Sequence, residues 1–173
     1  MIIRKANISD APGIAKVHVD SWRTTYKGII PQSFLDGLSY EQRTKLWQNN
    51  VSDKTNTIYI AENEGEIIGF VTGGTRNKNE EAGASDLTSI YLLEEWQGKS
   101  VGKKLLNQIM IAFLEQGYLK IYVDVLAANK TRQFYQYYGA EYVKTVQLSI
   151  AGKTLDEEIY VWNNVEKVIQ QSK

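Results

Sequence analysis

From Ile90 to Lys104 the chain reads Ile90-Tyr91-Leu92-Leu93-Glu94-Glu95-Trp96-Gln97-Gly98-Lys99-Ser100-Val101-Gly102-Lys103-Lys104. A β-rich run enters a glycine-bearing loop that opens a helix. That arrangement turns free backbone N–H groups and the positive helix end toward an anion. Lys99, Lys103 and Lys104 place three cations around the same turn. The chemistry on offer is phosphate binding, and a diphosphate is the natural guest. Two common phosphate motifs fail here. Gly98-Lys99-Ser100 imitates the end of a Walker A loop, but Leu93 stands where that loop needs its first glycine. A dinucleotide fingerprint needs three spaced glycines, and only Gly98 and Gly102 are present. The competing reading has the two glycines shaping a turn and the lysines facing water.

The elements around this loop read as one α/β domain spanning residues 1–173. A strand at 2–6 precedes a helix capped by Ser9 or Asp10, with Pro12 in its first turn and Ile14, His18, Trp22 and Tyr26 on one face. Gly28 and Pro31 break it, and a second helix follows over 39–50. A hairpin of strands at 57–62 and 67–72 turns at Asn63-Glu64-Gly65-Glu66. Residues 75–84 read as a polar, mobile connection. A strand at 86–93 leads through the anion loop into a helix over 101–116 stopped by Gly117. A buried strand at 119–126, a helix at 129–138 ended by Gly139, a hairpin of 141–150 and 154–162, and a final helix at 163–171 complete the chain.

Composition removes several classes of function. The 173 residues are 43% hydrophobic and 23% charged, the usage of an ordinary folded domain, which excludes disordered and fibrous architectures. Twenty Lys and Arg balance twenty Asp and Glu, so no global field would hold the protein on nucleic acid or anionic lipid. The absence of cysteine excludes thiol nucleophiles and Cys-ligated metal centres, and the one histidine excludes a His-rich metal site. The longest apolar run, 109–114, is far shorter than the ~20 residues of a membrane span. No basic-then-apolar segment opens the chain. The expected location is the cytoplasm, with no membrane, nucleic-acid or metal partner.

Gln97-x-x-Ser100-x-Gly102 resembles the acyl-CoA pyrophosphate loop of the Gcn5-related N-acetyltransferase (GNAT) superfamily, Arg/Gln-x-x-Gly-x-Gly/Ala. Ser100 stands where that family usually has glycine. Asn129-Lys130-Thr131-Arg132-Gln133-Phe134-Tyr135-Gln136-Tyr137-Tyr138-Gly139-Ala140 resembles the family's later motif, an Asn followed by a helix carrying Phe-Tyr and then Gly, with Ala140 replacing the final aromatic. Order and spacing of the two motifs match, and the resemblance covers essentially the whole chain. Within it, Ser21-Trp22-Arg23-Thr24-Thr25-Tyr26-Lys27-Gly28-Ile29-Ile30-Pro31 is similar to one bacterial subgroup whose acceptor is undefined. The implied fold is a single-domain α/β (α+β) one: a mixed, mostly antiparallel sheet with a splayed central strand pair flanked by helices.

The resemblance implies an acetyl-CoA-dependent N-acetyltransferase and assigns the site. Backbone groups of Ile90 and Leu92 would pair with the pantetheine arm, and Gln97, Gly98, Lys99, Ser100, Val101, Gly102 and Lys103 would hold the pyrophosphate. Asn129 would bond the pantetheine and Arg132 would reach the nucleotide end. An amine would attack the thioester directly, and a lysine-like amine with pKa ~10.4 costs about 4.6 kcal/mol to hold neutral at pH 7. Asp86 is the candidate base through water, with Glu94 in reserve; the bland reading of Asp86 is a solvated carboxylate at a strand start. The leaving thiolate, with pKa ~8.5, takes a proton or hydrogen bond from Tyr135, whose alternative is a plain core aromatic. A backbone N–H near Leu92 would meet the carbonyl oxygen. His18, Trp22 and Tyr26 would wall the acceptor cleft and receive a cationic amine, unless Trp22 is core and His18 its satisfied partner.

The acceptor is expected to be a small amine, with a protein amino terminus or lysine as the alternative inside the same fold. A non-catalytic acyl-CoA-binding module is the reading from another class. Residues 27–37 and 75–84 would read the acceptor. Exposed strand edges and the last hairpin make a homodimer the expected assembly.

Overall fold

The computed structural model describes residues 1–75 and 81–173. Part of the polar connection expected at 75–84 therefore lies outside the described residues. The strands are β1 (Ile2–Lys5), β2 (Thr57–Asn63), β3 (Glu66–Gly74), β4 (Ala84–Leu92), β5 (Lys120–Leu126), β6 (Glu141–Ile150) and β7 (Lys153–Trp162). The helices are α1 (Ala11–Thr25), α2 (Gln32–Asp36), α3 (Tyr40–Ser52), α4 (Val101–Glu115), α5 (Thr131–Tyr137) and α6 (Val165–Gln171). The short α2, five residues without an amphipathic repeat, is the helix that periodicity does not reveal.

The strands form one sheet in the order β1-β2-β3-β4-β5-β7-β6, antiparallel except for β4 against β5. The sheet is thus mixed and mostly antiparallel, with helices on both faces. On one face α4, α5 and α6 bury Leu105, Leu106, Ile109, Phe113, Tyr135 and Val168 against Val71, Leu87 and Val123. On the other, α1 and α3 bury Ile14, Val17 and Trp47 against Ile58, Ile60 and Phe70, and Tyr26, Leu35 and Leu38 pack with Leu126. Among the described residues, no helix is long and apolar enough to cross a membrane.

The entry to α1 differs in detail from expectation. Asn7 caps a 3-10 turn over Ile8–Asp10, its side chain accepting the Ser9 N–H. Asp10 faces Arg4, which donates two hydrogen bonds of 2.8 Å to its carboxylate, so neither Ser9 nor Asp10 caps α1 with its side chain.

One irregularity makes the site. Parallel pairing runs from Ala84 opposite Lys120 to Leu87 opposite Val123 and then stops. At that point β4 carries an extra residue: Ser89 faces Thr72 and Leu87 faces Gly73, leaving Thr88 unpaired as a bulge. A bulge bends its strand and ends pairing on that side. Glycine is needed at 73 because a Cβ there would lie 2.5 Å from the Asp86 carbonyl oxygen. Beyond the bulge β4 keeps β3, β5 keeps β7, and the two central strands diverge.

Candidate active site

The divergence opens a cleft of about 940 Å³. Residues 87–92 line one side, Asp124, Val125 and Leu126 the other, α1 and the segment after it close one end, and the start of α4 lies at the opposite end. Ile90 and Leu92 belong to this wall, on the stretch of β4 that has no partner strand on the β5 side. Such an edge offers backbone donors and acceptors to an extended ligand.

Gln97, Gly98, Ser100, Gly102 and Lys103 line the cleft. The first helical bond of α4 runs from the Lys104 N–H to the Ser100 carbonyl, at 3.2 Å, so the N–H groups of residues 101–103 have no helical acceptor. No acidic residue occupies that first turn. Gly98 has φ 71° with no atom within 4 Å of a Cβ placed on it, and a Cβ on Gly102 would make ordinary contacts, the nearest at 3.4 Å with Leu92. Packing within the protein does not demand glycine at 102; the space there opens on the cleft. The turn therefore fits a diphosphate. Ser100 adopts the left-handed conformation, φ 61° and ψ 9°, that glycine adopts without strain. Two expected contributors stand apart. Lys99 lies over the Trp96 ring, 5.0 Å from its centroid, and Val101 is 1% exposed in the core; neither side chain lines the cleft.

Tyr135 is buried where α5 meets the cleft, edge-on to Trp162 with centroids 5.6 Å apart. Its hydroxyl makes no hydrogen bond among the described residues. Burial, reinforced by nearby Tyr26, pushes this phenol well above the usual tyrosine range and keeps it protonated. Asn129, also buried, starts the same segment. Its Oδ1 accepts the Thr131 N–H at 2.9 Å and its Nδ2 donates to the Tyr26 hydroxyl at 3.4 Å, so the amide is committed at both ends. Tyr26 in turn pairs with the Tyr91 hydroxyl at 3.3 Å. Trp22 lines the cleft beside Tyr26, their ring centroids 4.8 Å apart.

The structure departs from the sequence expectation at three further residues. Asp86 is 1% exposed, sits in the paired half of β4 opposite Tyr122 and does not line the cleft; of the two candidate carboxylates, Glu94 does. Its place before the bulge is the reason, because β5 still covers β4 there. Arg132 is turned to Glu158, Nη1 to carboxylate 3.1 Å, and is not in the cleft lining. His18 is buried behind the wall. It accepts the Trp47 indole N–H on Nδ1 at 3.0 Å and stacks on Tyr91 at 5.9 Å and 8°. Sequence reading did not single out Tyr91, Asp124 or Glu157 for the cleft. Tyr91 alternates with Ile90 and Leu92 along a strand that reads as core, and the inward placement of Glu157 depends on β7 inserting beside β5, a long-range pairing without local signal.

Residues 19–140 match the model of the acetyltransferase (GNAT) family. The chain is 37% identical over 161 residues to an uncharacterized N-acetyltransferase, YuaI, of Bacillus subtilis (strain 168), covering 92% of this chain and 91% of that protein. It is 26% identical over 132 residues to a spermidine N(1)-acetyltransferase of Thermoplasma acidophilum, covering 73% of this chain and 79% of that one. The crystal structure of PaiA N-acetyltransferase from Thermoplasma acidophilum in complex with coenzyme A shares the fold, with TM-score 0.70 and 22% identity over 91% of this chain and 96% of that chain. A split sheet that feeds an anion-ready turn and the match across both motif segments lead to one conclusion: the chain belongs to the acetyltransferase (GNAT) family, acyl-CoA-dependent N-acetyltransferases.

Proposed function

We propose that this chain moves an acetyl group from acetyl-CoA to a small primary amine, which attacks the thioester directly while both substrates are bound. The observation that carries this reading is the cleft itself, where an unpaired strand edge, a diphosphate-ready turn and an unpartnered phenol share one cavity. Acetyl-CoA supplies an activated acetyl thioester. The β5-facing edge of β4 at Ile90 and Leu92 holds the pantetheine arm, and the N–H groups of 101–103 with Lys103 hold the pyrophosphate. Asn129, already bonded on both sides, orders the Tyr26 wall and the start of α5. As the C–N bond forms and the C–S bond breaks, the amine proton passes through water to Glu94 and the departing thiolate leaves with a hydrogen bond from the Tyr135 hydroxyl. The chain has no cysteine to carry the acetyl group, which suits direct attack. A small acceptor is supported by the aromatic side chains of Trp22, Tyr26 and Tyr91 that line the α1 end of the cleft.

Thermal unfolding with acetyl-CoA, CoA or ATP tests the cofactor. At a ligand concentration about 100 times Kd, binding adds ~2.7 kcal/mol, a rise in Tm of about 5–10 °C for a chain of this size. Both CoA species are expected to raise Tm and ATP to leave it unchanged, after which thiol release with a panel of amines measures transfer. No rise with either CoA species overturns the reading. A rise without thiol release favours a non-catalytic acyl-CoA-binding module.

A further inference from the structure

On the α1 side of the cleft, donor hydrogens outnumber the acceptors that meet them among the described residues. Because Asn129 Oδ1 is held by the Thr131 N–H, the end of the amide facing Tyr26 is Nδ2, which only donates. The Tyr26 and Tyr91 hydroxyls, 3.3 Å apart, share one hydrogen bond, and Asn129 is their sole further partner among the described residues. The pair owns two hydroxyl protons. One is used between them whichever way that bond runs, and the other meets no acceptor among the described residues. Beside them the Trp22 indole Nε1 is buried with no hydrogen-bond partner. Its N–H approaches the Tyr91 oxygen without reaching hydrogen-bond geometry. All three side chains line the cleft. A fold leaves buried donors unpaired at a cost in stability, and one reason to keep them is a ligand that brings the acceptor.

The side of the sheet identifies which ligand. Ile90 and Leu92 pack toward α4, the helix that begins at the phosphate turn, whereas Tyr91 packs with His18, Trp22 and Tyr26 toward α1. The orphan donors therefore lie across the strand from the cofactor turn, on the side that a cofactor held at that turn leaves to the second substrate. We propose that the Tyr26–Tyr91 hydroxyl pair, with the buried Trp22 indole N–H directed at it, forms an oxygen subsite, so that the acceptor is a primary amine carrying a hydroxyl or carbonyl oxygen near the reacting nitrogen. An alkyl polyamine offers only further donors when protonated and would leave the spare hydroxyl hydrogen unpaired. This inference rests on the acetyl transfer proposed above.

The test is the ratio of kcat/KM, expressed per free base, for matched amines with and without an oxygen: ethanolamine against propylamine, and propanolamine against butylamine. The expected ratio in the wild-type enzyme is about 10 or more in favour of the oxygen-bearing amine, falling toward about 1 in Trp22→Phe and in Tyr26→Phe. Each ratio is taken within one preparation, so a loss of folded enzyme cancels. Thiol release at equal rates for both members of each pair, or a preference that both variants leave intact, overturns the subsite and leaves acetyl transfer standing. Acetyl-CoA binding without thiol release from any amine overturns the transfer reading and this inference together.

Discussion

Tyr135 and His18 are both buried aromatic residues with displaced proton equilibria, but only Tyr135 opens on the cleft. A phenol raised by burial does not ionise at neutral pH, so it keeps the proton with which it hydrogen-bonds a thiolate formed beside it. Tyr135→Phe keeps the ring against Trp162 and removes that proton. Thiol release is expected to fall about 100-fold or more while the Tm rise with acetyl-CoA persists; full turnover in the variant would remove Tyr135 from the chemistry. His18 answers to a different readout. Burial, with the Arg43 charge adding to it, lowers its pKa from 6.5 to about 4. The unfolded chain thus binds a proton near pH 6.5 that the folded chain refuses. Stability from neutral His18 is complete above pH 6.5 and is lost as pH falls from 6.5 to about 4, by an amount on the order of 2–3 kcal/mol. His18 is the sole histidine, so a slope in unfolding free energy between pH 6.5 and 5, before ordinary carboxylates titrate, isolates it. A flat profile there would mean that the imidazole charges freely in the fold.

At the scale of elements, the helix from Val101 and the two hairpins were legible because their patterns are local: a 3.6-residue apolar repeat stopped by Gly117, and turns at Gly65 and Gly152. The bulge at Thr88 was not, since it depends on Gly73 and Asp86 crowding each other across strands distant in sequence. That one displaced residue decides which side chains of β4 meet the cleft, and it leaves Asp86 under β5. Arg132 escaped for a similar reason: nothing in the Asn129 segment announces that Glu158 will stand 26 residues later within 3.1 Å. Ser100, by contrast, was legible as a departure from glycine, and its φ of 61° gives that departure a consequence. Ser100→Gly relieves left-handed strain but loosens the unfolded chain, for a net gain of about 0.5 kcal/mol. Because serine already adopts the conformation that glycine would adopt at this turn, acetyl-CoA affinity is expected to stay within about threefold, read by calorimetry. A tenfold weakening would instead assign the Ser100 hydroxyl to the phosphate.

The whole molecule is split at its centre, yet its packing is shared across the split. Trp96 packs against the cores on both faces of the sheet, Tyr91 joins two clusters on the α1 face, and Leu148 and Leu155 from the last hairpin reach the cluster that holds Tyr26 and Leu35. The indoles sample this arrangement evenly, with Trp22 and Trp47 on the α1 side, Trp96 at the turn and Trp162 on β7. Strands β1 to β4 and strands β5 to β7 are therefore expected to unfold as one unit, because neither part buries its apolar face without the other. A ligand lying in the cleft stabilises only the folded molecule, so it raises both parts together. Hydrogen exchange of the deepest amides in β2 and β3 and in β5 and β7 is expected to report one global free energy, increased equally by acetyl-CoA, while residues 88–92 gain further local protection from the pantetheine. Unequal shifts in the two groups of strands would show that the split divides the molecule energetically as well as geometrically, and that acetyl-CoA fastens one part onto a neighbour that folds by itself.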